Sequence, residues 1–176
     1  MKILNKTYPQ PLVLHETWEV IDSTKLQAYK DCPRQFFYEY ILGWRRESPN
    51  NHLHYGSCIH KAMEHLLLNG YSNEQILDAY NIFYNEYRLV FDEESDEFFE
   101  PKTPARTLQM LVEYCQHYAD DLSKYEVVML NEKPLVEISG VVSIDGYYQL
   151  YFKMDSVLRR LRDNKIFSLE HKTKQG

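Results

Sequence analysis

Two carboxylates and a lysine near the C-terminal end have the types and spacing for phosphoryl chemistry. Asp155 is followed, after fourteen residues, by Glu170-His171-Lys172. The intervening stretch reads as a β-hairpin with its turn at Asp163-Asn164. A turn centred there sets Asp155 opposite Lys172 and Val157 opposite Glu170. Because side chains alternate along a strand, Asp155, Glu170 and Lys172 then share one face. Asp155 and Glu170 become diagonal neighbours, about 7–8 Å apart at the backbone. Two carboxylates at that spacing can hold one or two hard divalent cations such as Mg²⁺. Lys172 beside them can orient water or offset charge on a phosphate. Hairpin geometry alone favours a simpler reading, a surface charge cluster. Against it, Asp155 follows Tyr151, Phe152 and Met154, and Glu170 follows Ile166, Phe167 and Leu169. Carboxylates late in apolar strands are costly to bury without a cation.

The elements that must position these residues are legible from periodicity. From Glu126 onward the period is 2, and VVML, LVEISGVVS, YYQLYFKMDSVL and KIFSLEHK are strand candidates. Asp145-Gly146 is a hairpin turn signal. Before residue 123 the period is helical. Ser23 is the expected N-cap of a first helix running to about Lys30. Pro33 then forces a kink or restart through Tyr40, with an end near Gly43. A second helix is expected over 56–69, with Ile59, Met63, Leu66 and Leu67 as its stripe. Ser72-Asn-Glu-Gln75 is a capping box for a third. Thr103-Pro104 opens a fourth, carried to about Ser123 by Leu108, Leu111, Val112, Cys115, Tyr118 and Leu122. Phe91 to Glu100, with six acids and no base, reads as a solvated loop. Helices followed by an antiparallel meander predict an α+β fold. Residues 1–22 form an irregular segment. Residues 23–176 form one domain, helical over 23–123 and sheet over 126–176.

Composition sets the outer bounds. The 176 residues suffice for one domain with a real core. No apolar run reaches membrane-spanning length, and the N-terminus has no signal-peptide stretch. Cys32, Cys58 and Cys115 are far apart and form no CxxC, which argues against a disulfide framework and for a reducing cytosol. The net charge of −6 hides its distribution. Lys25 to Arg46 has five bases and two acids, and Lys153 to Lys174 has seven bases and three acids. Such local basic faces can hold phosphates in an acidic chain. His52, His54, His60 and His65 cluster within fourteen residues, but their spacing matches no closed zinc motif.

Three motifs together resemble the PD-(D/E)XK nuclease superfamily, in its RecB-like exonuclease branch, which includes CRISPR-associated and phage or bacterial enzymes. Asp155 with Glu170-His171-Lys172-Thr173 is similar to the D…(D/E)xK signature. Ser23, Leu26, Tyr29, Cys32, Pro33 and Phe36 match the branch's S-x-x-L-x-x-Y-x-x-C-P-x-x-F helix. Gly56-Ser-Cys-Ile-His60 matches G-x-x-x-H. The resemblance implies a restriction-endonuclease-like core. It implies that Asp155 and Glu170 bind the catalytic Mg²⁺ or Mn²⁺, that His60 completes the ligand set, and that the His171 carbonyl is an extra ligand. Lys172 would position or activate the water that hydrolyses the phosphodiester. Glu64 and Glu137 are weaker candidates.

The implied activity is that of a metal-dependent deoxyribonuclease, an exonuclease of DNA recombination, repair or phage DNA processing. Its partners would be DNA and a protein of a recombination or repair complex, with no membrane. Some members of the branch hold an iron–sulfur cluster through four cysteines. Cys32 matches the first, Cys58 and Cys115 fit none of the others, and this chain gives the cluster no support. There are two departures from the family. Phe152 stands where members carry a Gly three residues before the metal Asp. The family core also continues past the lysine with a Gln- and Tyr-bearing helix and a strand, whereas this chain stops four residues after Lys172. The expectation is therefore a core incomplete at the C-terminus and weak activity in this chain. The competing reading is a catalytically impaired or fragmentary member acting as a nucleic-acid- or protein-binding module.

Overall fold

A computed structural model describes residues 20–144, 146 and 149–172. The order is helices first and strands last, an α+β fold with an antiparallel sheet. No described helix is long and apolar enough to cross a membrane. The chain forms two compact units. One holds the described residues up to Glu47 and Ser139–Phe152. The other holds Ser48–Ile138 and Lys153 onward.

In the first unit, α1 (Ser23–Asp31) starts one residue earlier than Ser23 would dictate as a cap. The cap is Asp22, whose carboxylate accepts the Lys25 N–H at 2.8 Å. Pro33 restarts the chain as α2 (Pro33–Phe36), and a π-helical turn follows over Phe37–Ile41. Gly43, at φ 73°, ends it. The Phe152 ring approaches Gly140 so closely that a Cβ on Gly140 would lie 2.8 Å from it. The bulky residue that replaces the family glycine is thus matched by a glycine on the neighbouring strand. The Asp145 half of the expected hairpin turn lies outside the described residues, and Gly146 has φ 84°.

The second unit has its core among three helices. The first, α3 (Asn51–Asn69), begins a turn before the expected Gly56, because the Asn50 side chain caps it by accepting the Leu53 N–H. Next come α4 (Asn73–Arg88) and, after the short α5 (Asp96–Phe99), α6 (Pro104–His117). Cys58, Ile59, Ala62, Met63 and Leu66 of α3 pack with Ile76, Ala79, Phe83 and Tyr87 of α4 and Leu111 and Cys115 of α6. Ser72 caps α4 as expected, but Gln75 does not return the bond. Its side chain pairs instead with His65 at 2.8 Å. The acidic decamer is not a plain solvated loop. Phe91 is buried and joins the core, and Asp96 makes a two-pronged ion pair with Arg88. The fourth helix ends at His117, six residues short of expectation. The short α7 (Asp121–Lys124) follows and leads into β1 (Tyr125–Val127).

The strands β2 (Met129–Leu130) and β3 (Lys133–Pro134) make a small hairpin. The main sheet comprises β1, β4 (Val136–Ser143), β5 (Gln149–Arg160) and β6 (Ile166–Leu169). Both β1 and β6 pair antiparallel with the C-terminal half of β5, so they occupy its two edges.

The β5–β6 register differs by two residues from a turn at Asp163-Asn164. Arg159 pairs with Ile166 and Ser156 with Leu169. The turn chemistry explains the shift. The Arg160 guanidinium grips the Asp163 carboxylate through two bonds, at 2.9 and 2.8 Å, and Asn164 takes φ 56°. The Arg160 N–H meets the Lys165 carbonyl, which leaves a four-residue loop in place of a two-residue one. Extended along the strands, this register sets Asp155 across from Glu170 rather than Lys172. Because the shift is even, the face each residue occupies is unchanged.

Candidate metal centre

Three side chains from three elements of the second unit converge. His60 comes from α3, one residue past the fully packed Ile59, at the margin of the buried stripe. Its Nδ1 lies 3.1 Å from Glu137 Oε1 and 3.3 Å from Asp155 Oδ1. Asp155 is the most enclosed of the three, with its side chain 11% exposed. One donor atom from each lies within 4.8 Å of the others, and no other such His, Cys, Asp and Glu group occurs among the described residues.

Glu137 reaches the cluster by an irregularity in its strand. Its backbone sits at φ 46° inside β4. That region is unfavourable for a side-chain-bearing residue by about 1–3 kcal/mol and tends to occur where function requires it. The turn of the backbone sends the carboxylate to His60 and to Lys153, whose Nζ lies 2.6 Å from Glu137 Oε2. Lys153 is two residues before Asp155 and so emerges on the same face of β5. A cation therefore already stands at the edge of the carboxylate pair.

His171 borders the cluster through its N–H and its ring. The backbone N–H donates to Asp155 Oδ2 at 2.6 Å, and the imidazole Nε2 lies 3.2 Å from the Tyr114 hydroxyl. Burial pushes its imidazole pKa down. Asp155 pulls the other way, His60 adds to the depression, and Glu137 opposes it.

Sequence reasoning selected Asp155, Glu170, Lys172, His60 and His171. The structure gathers His60 and Asp155, adds Glu137, and brings His171 alongside. It does not bring Glu170 or Lys172 into the group. β6 ends at Leu169, one pair short of Asp155, so no ladder holds Glu170 over the site. Glu170 and Lys172 pair with each other, with side chains 61% and 67% exposed. Glu64 is likewise outside the group. The signal for Glu137 was present in the sequence, as an acid between Val136 and Ile138 in an apolar strand. Its aim was not, because it depends on a backbone angle.

The other cysteine and histidine candidates have ordinary roles. Cys32 caps α2 through its sulfur, which accepts the Gln35 N–H. Cys58 and Cys115 are buried, and burial pushes their thiols up to about 11. His54 meets the Glu86 carbonyl and His65 meets Gln75, so neither joins His60.

One imidazole nitrogen and two carboxylate oxygens suit a hard or borderline divalent cation. A family model for the PD-(D/E)XK nuclease superfamily matches residues 23–176. The chain belongs to that superfamily. PD-(D/E)XK nucleases use divalent metal ions, and the His60–Glu137–Asp155 group has the donor chemistry to hold one. Superfamily membership also implies a nucleic-acid substrate. No curated protein and no solved structure matches the chain significantly.

Proposed function

We propose that the chain hydrolyses phosphodiesters of DNA as a RecB-like exonuclease, with the divalent cation held by His60, Glu137 and Asp155. The observation that carries this reading is the approach of His60 Nδ1 to within 3.3 Å of carboxylates from two different strands. Bound there, Mg²⁺ or Mn²⁺ would offset charge on the phosphate and lower the pKa of a water. Asp155 is kept in place by the His171 N–H, so its second oxygen remains aimed at the cluster. Lys153 supplies positive charge beside the phosphate's path. By the family resemblance, Lys172 orients the attacking water and Glu170 adds a carboxylate near the cation. The exonuclease and DNA assignments rest on the S-x-x-L-x-x-Y-x-x-C-P-x-x-F and GxxxH matches.

The test uses linear and closed circular DNA, single- and double-stranded, with Mg²⁺ or excess chelator. Cleavage of linear DNA alone, lost with chelator and in Asp155→Ala, supports the reading. Cleavage that survives chelation, or full activity in Asp155→Ala, rejects it. Degradation of circles makes the enzyme an endonuclease.

A second reading has one specific observation behind it. Glu170 and Lys172 stand exposed and paired beyond the end of β6, outside the metal group. A member whose catalytic lysine stays there binds nucleic acid without cutting it. Ion and DNA binding with no cleavage under any divalent metal would support that reading.

A further inference from the structure

We propose that the first unit carries a stacking platform for single-stranded nucleic acid, built on Trp44 and Tyr38 and flanked by Arg34, Arg45 and Arg46. This deepens the nuclease reading, on which it rests, by naming the form of substrate the chain grips. The platform is made by the way the π-helical turn closes. The Trp44 N–H donates to the Tyr38 carbonyl at 2.9 Å, and Gly43 supplies the positive φ that such a helix end requires. That closure lays the indole on the Tyr38 ring, with centroids 4.7 Å apart and planes 24° apart.

A hydrophobic contact at a helix end is a common stabilising device, and it would need only one face of the indole. Yet Trp44 remains 61% exposed. A large aromatic surface left in water, backed by a second ring that fixes its orientation, is an unoccupied stacking position. The surrounding charge fits an anionic polymer. The Arg34 guanidinium lies 5.9 Å from the Tyr38 centroid, and that of Arg45 lies 5.4 Å from the Tyr40 centroid. Arg45 is also held by the Glu39 carbonyl at 2.6 Å, so its position is fixed. Arg34, Arg45 and Arg46 are all exposed. Nearby, the Glu39 carboxylate is occupied by the Gln35 amide.

Guanidinium groups beside an open aromatic face match a base and its flanking phosphates together. A base inside a duplex has both faces covered by its neighbours. Away from a duplex end, the indole can therefore take only an unpaired base, and the occupant is single-stranded nucleic acid.

The chain contains two tryptophans, Trp18 and Trp44. In the full chain carrying Trp18→Phe and Asp155→Ala, Trp44 is the only indole and cleavage is disabled. Titration with a 20-nucleotide oligo(dT) should quench its fluorescence saturably, and a blunt duplex of equal length should not. In the Asp155→Ala chain, Trp44→Ala should weaken oligo(dT) binding by about fivefold or more, and Trp44→Phe should restore most of it. Arg46→Gln should flatten the dependence of log affinity on log salt by about 0.7.

No quenching, equal quenching by the duplex, or unchanged affinity in Trp44→Ala overturns the proposal. These outcomes are independent of the nuclease reading. An active enzyme whose Trp44 is silent defeats the platform alone. A chain that never cleaves but is quenched by oligo(dT) keeps the platform and loses the catalytic assignment.

Discussion

Asp155 lies in β5 and Glu170 directly follows the neighbouring β6; the two carry the same functional group and would face each other if the ladder ran one pair further. Their surroundings differ sharply. Asp155 lies inside β5, with partners on both edges of the strand's C-terminal half, and its carboxylate is met by the His171 N–H and by His60. Glu170 follows the last residue of β6 and pairs with Lys172 in solvent. Place in the hydrogen-bonded ladder, rather than residue type, decides which acid is directed toward His60. Glu137 makes the same point from the other side. It is aimed at His60 by a positive φ within its strand.

Asp155→Ala should have the largest effect, abolishing Mg²⁺-dependent cleavage while circular dichroism stays unchanged. Retained turnover would mean that the cation is held elsewhere. Lys172→Ala should come next, with cleavage lost and Mn²⁺ affinity intact. If Lys153→Ala is the more damaging of the two lysine variants, the lysine beside Glu137 carries the role.

Glu137→Gln should lower Mn²⁺ affinity by about tenfold or more, since losing a ligand costs at least as much as losing a group that only supports one. Calorimetry measures this directly, and Glu170→Gln should cost less affinity, because Glu170 follows the end of β6 and stands outside the group. Equal losses in the two variants would erase the contrast between the acids. In the parent, Mn²⁺ at about 100 times its dissociation constant should add about 2.7 kcal/mol of stability. Glu137→Gln should show a smaller gain at the same concentration, read as a smaller rise in Tm.

The smallest effect tests the rigidity of the helix that carries His60. At pH 8 a disulfide-exchange reagent should modify Cys32 rapidly. Cys58 and Cys115 should react far more slowly, because they are buried and their thiols are pushed up to about 11. Reaction of all three at one rate would show that α3 opens readily and does not hold the imidazole in place.

Much of this is legible in the amino-acid sequence. The stripe of Ile59, Met63 and Leu66, with Gly70 after it, placed α3 and therefore His60, because helix periodicity and caps are local chemistry. The alternation through Met154 to Leu158 put Asp155 on a strand for the same reason. The D…ExK, CPxxF and GxxxH spacings pointed to the superfamily. Three things were settled only by the folded chain. The hairpin register moved by two residues because Arg160 clamps Asp163 across the turn. Glu170 stands outside the group of His60, Glu137 and Asp155 because β6 stops at Leu169. Glu137 entered because one backbone angle turned its side chain toward His60. Spacing along the chain determines which face a residue occupies. Where a ladder ends, and which way a strained residue points, depend on partners distant in sequence, and only tertiary structure brings those together.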